Sequence, residues 1–131
     1  MTHTELRAML LKQHAEIRAL AAGVMAASET ELRERLAELV SAIDAHNAFE
    51  ERELHAILPD IDAWGEIRDH RVGEHHDAEH AAIQAGLRSA DSSRALAAAL
   101  AVLEDHMVRE ERELLSTDVL RDDIITTGIG G

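Results

Sequence analysis

Residues 46–54 read HNAFEEREL and residues 106–114 read HMVREEREL. Both have the form H-x-x-x-E-E-R-E-L, 60 residues apart. In a helix, a histidine and a glutamate four positions apart share one face, one turn apart. Such a pair can offer an imidazole nitrogen and a carboxylate oxygen to a single cation. The repeat therefore argues for helices and for metal chemistry together.

Outward from the repeat, the chain is rich in Ala, Leu, Glu and Arg, all good helix formers, and has only one proline. Four amphipathic segments are expected, over about 4–27, 29–58, 66–90 and 94–115. Thr2 with Glu5, and Ser28 with Glu31, have capping-box spacing, and Asp91-Ser92-Ser93 is a loop that supplies an N-cap. Pro59 closes the second segment. The apolar stripes are Leu6, Leu10, Ile17, Ala21 and Val24; Leu32, Leu36, Leu39, Ile43 and Ile57; Ile67, Val72, Ile83 and Leu87; and Leu96, Leu100, Leu103 and Leu114. This predicts an all-α, up-down-up-down four-helix bundle over about 4–115, with a short C-terminal extension at 116–131. At 131 residues one domain is expected, 1–131.

Polar residues interrupt every stripe: His14 in the first, His46 and Glu50 in the second, His76 and His80 in the third, His106 and Glu110 in the fourth. A lone histidine on an apolar face is usually a hydrogen-bonded core residue. Seven polar residues on four stripes are harder to explain that way if they meet at one depth. Counted from Ser28 at about 1.5 Å per residue, His14 and His46 lie roughly 21 and 27 Å away. Glu50 and His76 lie roughly 14 and 17 Å from Pro59 and Gly65, and His80 and His106 roughly 18 and 21 Å from Ser92. The seven can therefore share one level. Five imidazoles and two carboxylates suit two ions with the carboxylates bridging, and iron, manganese or zinc rather than copper(I). His3, His55 and His70 are expected at the surface. Glu51 and Glu111 are also expected to face solvent, with Glu111 the rival to Glu110. His75 and Glu79 form a second H-x-x-x-E pair turned about 100° from the third stripe.

Composition removes other classes. The chain has no cysteine, so disulfides and thiolate sites are excluded. A net charge of −13 with a single lysine argues against nucleic acid and anionic membranes. The N-terminus MTHTELRAML has no charged leader before an apolar run, and no 18 apolar residues run together, so a cytoplasmic protein without a membrane span is expected.

The order H, H-x-x-x-E, H-x-x-x-H, H-x-x-x-E from His14 to Glu110 resembles the hemerythrin family, also called the HHE cation-binding domain. The resemblance implies a non-haem di-iron site. His76, His80 and His106 would hold one iron and His14 and His46 the other. Glu50 and Glu110 would bridge them, with a solvent-derived oxo or hydroxo group between the two metals. The two-histidine iron would keep an open position for O2, NO, peroxide or azide, in a pocket lined by Leu10, Ile17, Ile43, Val102 and Leu103. The chain departs from the oxygen carriers of the family, which end their pattern with H-x-x-x-x-D and surround the site with aromatics. It has one Phe and one Trp, and no Tyr to serve as the ligand some relatives use. The expected function is binding of, or reaction with, O2, NO or peroxide. The alternatives are redox turnover of peroxide or NO, and metal handling.

Overall fold

A computed structural model describes the backbone of residues 2–57 and 72–113, and the side chains of 2–53 and 78–112. Four helices account for nearly all of it: α1 (His3–Ala26), α2 (Leu32–Ile57), α3 (Val72–Ser89) and α4 (Ser93–Glu113). The chain is all-α, consistent with a four-helix bundle. The loop expected at 59–65, with Trp64, and the extension at 116–131 lie outside the described residues.

The helix starts follow their capping residues. Thr2 Oγ1 accepts the Glu5 N–H at 3.0 Å and begins α1. Ser28 donates through its N–H and hydroxyl to Glu31 Oε1, at 3.4 and 2.7 Å, just before α2. Ser92 Oγ accepts the Ala95 N–H at 3.1 Å and begins α4. The Thr2 and Ser92 hydroxyl oxygens and the Glu31 carboxylate each accept a backbone N–H that a helix end would otherwise leave to solvent.

The helices pack in a ring, α1 on α2, α2 on α3, α3 on α4 and α4 on α1. Contacts in each pair run in opposite order along the two helices. His14 meets His46 while Gly23 lies beside Arg35. Asp44 meets Arg88 while Glu50 faces His80. Glu79 binds Arg109 while Gly86 lies beside Ala99. His14 meets Glu110 while Arg18 binds Glu104.

Between the helices lies an apolar cluster built on Ile17, Val24, Leu39, Ile43, Ile83, Leu87, Leu96 and Leu103, all from the expected stripes. Met107, next to His106, joins them. The expected surface position of His3 is corrected: it is buried at the start of α1, 8% exposed. Among the described residues, no helix is long and apolar enough to cross a membrane.

Candidate metal centre

Six of the seven interrupting residues have described side chains, and all six are buried together: His14, His46, Glu50, His80, His106 and Glu110. The seventh, His76, lies on α3, but its side chain is outside the described set. The ligand atoms form two groups, His14, His46, Glu50 and Glu110, and His80, His106 and Glu110. Within each group the atoms lie no more than 4.8 Å apart.

Both carboxylates face both histidine pairs, one oxygen to each. Glu110 Oε1 lies 2.7 Å from His14 Nε2 and 3.7 Å from His46 Nε2. Glu110 Oε2 lies 3.1 Å from His106 Nε2 and 3.7 Å from His80 Nε2. Glu50 repeats the pattern, with Oε2 at 3.0 Å from His46 Nε2 and Oε1 at 3.8 Å from His80 Nε2. The i,i+4 spacing on α2 and α4 joins each glutamate to the histidine one turn before it. The opposite histidine comes from packing.

Three of the outer ring nitrogens are held from behind, while His80 Nδ1 lies 3.7 Å from Glu51 Oε1. His14 Nδ1 donates to Glu111 Oε2 at 2.7 Å, His46 Nδ1 to Gln13 Oε1 at 2.7 Å, and His106 Nδ1 to Glu79 Oε2 at 2.6 Å. Since carboxylates and amide oxygens only accept, these bonds put a proton on Nδ1 and turn Nε2 to the cluster. The expectation that Glu111 faces solvent is corrected: its side chain is 26% exposed and bound to His14 and Arg18. Glu110 takes the inward place. Glu51 is exposed, as expected. Glu79, half of the competing pair with His75, proves to be the partner of His106. The signal for Gln13 and Glu79 was weak, because each sits one residue before a stripe position. The side chains of His75 and His55, and His70 as a whole, lie outside the described residues.

The cluster shifts its own proton affinities. Burial drives the His46 imidazole down while Glu110 and Glu50 drive it up; the carboxylates prevail, and its pKa is pushed up to about 9. Burial opposes ionisation of Glu110, yet Glu50, His106, His14 and His46 hold it well below the ordinary carboxylate range. Glu111 and Glu79 are likewise lowered against the effect of burial, Glu111 by Arg18 and His14, Glu79 by His106 and Arg109. Buried carboxylates facing imidazoles are stable only with compensating positive charge, from protons or from cations.

Beside the cluster is a cavity of about 10 Å³, room for one water-sized molecule. Ile17, Ile43, Ile83, Leu103 and Met107 make its apolar wall, and the rings of His46, His80 and His106 face it with Asn47. Ile17, Ile43 and Leu103 are where the sequence places them. Leu10 is buried elsewhere, and Val102 is corrected to the surface, 54% exposed. Phe49 lies under the Arg52 guanidinium, 5.6 Å from its ring centroid, and takes no part in the wall.

The donor set of imidazole nitrogens and carboxylate oxygens without sulfur fits a metal cation of the iron, manganese or zinc kind. The model of the Hemerythrin HHE cation binding domain matches residues 5–117, a span that contains every one of these side chains. No curated protein and no solved structure matches the chain. With the family model covering most of its length and a buried His/Glu cluster suited to a cation, this chain belongs to the hemerythrin HHE cation-binding family.

Proposed function

We propose that the chain holds two iron ions between its helices and binds or reacts with O2, NO or peroxide at a position left open on one of them. The observation that carries this reading is the two-sided placement of Glu50 and Glu110, one oxygen to each histidine pair. A carboxylate so placed can span two cations, while a single-ion site would need only one oxygen of each. His14 and His46 would hold one ion, and His80 and His106, with His76 by the family pattern, the other.

Bound iron would supply a redox-active centre with a free coordination position. The rest falls to the protein. Gln13, Glu79 and Glu111 orient the rings, and the isoleucines, Leu103 and Met107 keep bulk water from the small cavity. The apolar cavity beside the histidine rings suits a small guest such as O2, NO or peroxide.

The test is metal content with a visible spectrum, on protein expressed in iron-replete medium. Two irons per chain and charge-transfer bands that shift on azide are expected. Zinc or a single ion would overturn the di-iron reading and favour metal handling. Stopped-flow addition of peroxide to the iron-loaded protein then separates a binder from an enzyme, since only the enzyme consumes peroxide repeatedly.

A further inference from the structure

Two side-chain chains of the same chemistry run outward from the cluster. On one flank, His14 Nδ1 meets Glu111, and Arg18 donates Nη1 and Nη2 to the two Glu111 oxygens at 2.8 and 3.2 Å. The same arginine donates Nε to Glu104 Oε2 at 2.9 Å. On the other flank, His106 Nδ1 meets Glu79, and Arg109 donates Nη1 and Nη2 to its two oxygens at 2.8 and 3.1 Å. Arg109 also donates Nε to Asp105 Oδ2 at 3.1 Å. Each flank is thus imidazole, carboxylate, bidentate guanidinium, carboxylate. The two are built from different helix pairs, α4 with α1 and α3 with α4.

We infer that Arg18 and Arg109 are positioning residues for the metal centre: each clamps a carboxylate, Glu111 or Glu79, behind one inward histidine. The clamp rests on the di-metal reading above and adds to it the residues that set ligand strength. A bidentate guanidinium fixes the plane of the carboxylate as well as its distance. The carboxylate then holds the proton on Nδ1 and leaves the Nε2 lone pair pointing inward. With two acids to one arginine, each flank carries net negative charge behind the ring, which makes the imidazole a stronger donor. Stronger donors favour the more highly charged ion. Among the described residues His46 Nδ1 is instead backed by the neutral amide of Gln13.

The experiment uses the full-length protein with zinc as the probe for affinity, read by competition with a chromophoric chelator, and iron for potential. E79A and E111A should each bind zinc about 10- to 100-fold more weakly. E79Q and E111Q keep an acceptor oxygen and should retain most of the affinity, while the iron-loaded forms show a higher reduction potential. R18M and R109M should fall between the glutamine and alanine variants. If these contacts merely tie helices together, the variants would lower the melting temperature of the metal-free protein and leave zinc affinity and potential unchanged. That result overturns the inference alone, provided the wild type binds two ions. A wild type that takes up no metal overturns it together with the proposed function.

Discussion

The bundle has two levels whose energetics run in opposite directions. Around the short connections, Val24, Leu39, Leu87 and Leu96 are packed against one another, with Leu39 and Leu87 fully buried. Burial of such side chains stabilises by about 1.5–3 kcal/mol each and needs no partner. Farther along the same four helices, His14, His46, Glu50, His80, His106 and Glu110 are just as buried. There burial costs free energy, and positive charge must offset it. The contrast separates two jobs. The apolar level holds the helices together, and the polar level specifies what they must bind.

The sharpest way to break this contrast is Glu110→Ala. Because Glu110 reaches both histidine pairs, its loss should empty both positions, and elemental analysis should find less than one ion per chain. Two ions in this variant would contradict the shared-carboxylate geometry. The metal-free variant should still show a full helical circular-dichroism signal, since the apolar level is untouched.

Leu39→Ala strikes the other level. A fully buried leucine truncated in a packed core costs about 2–5 kcal/mol. Urea unfolding of the metal-free protein should read that loss, while the number of ions taken up at saturation stays the same. A loss below about 1 kcal/mol would mean the core is looser than its packing indicates.

Proton and metal should compete at the polar level. The folded pKa of His46, about 9, lies above the ordinary histidine value. In the metal-free protein its contribution is therefore fully present below about pH 6.5 and lost as pH rises through about 9. The swing is on the order of 3 kcal/mol. Metal displaces this proton, so zinc affinity should move the opposite way and rise between pH 7 and 9. Metal-free melts and zinc titrations over that range check both signs. Affinity flat across it would show that His46 binds metal without giving up a proton.

The smallest effect sharpens the comparison from outside it. Arg88 donates to Asp44 at 3.0 Å between half-exposed side chains. Arg88→Ala should change unfolding free energy by less than about 1 kcal/mol and metal content not at all.

Much of this was legible in the sequence because it depends on local periodicity. A residue's face on a helix follows from its number, so the stripes marked Leu39, Ile43, Ile83 and Leu103 for the core and His14, His46 and His106 among them. Capping at Thr2, at Ser28 by Glu31, and at Ser92 is equally local, each bond reaching three residues along the chain. His3 was misjudged because its position near a terminus says nothing about what packs over it.

What the sequence by itself determined, then, is that helices carry the inward histidines and glutamates at one depth, and with them the family. Only the tertiary structure separated the positions of Glu110 and Glu111. They stand about 100° apart on α4, which turns one to the centre and the other to the seam with α1. It also paired Glu79 with His106 and Gln13 with His46, 27 and 33 residues apart. Such partners depend on the rotation and register of one helix against another. Packing sets both, and no repeat along a single chain encodes them.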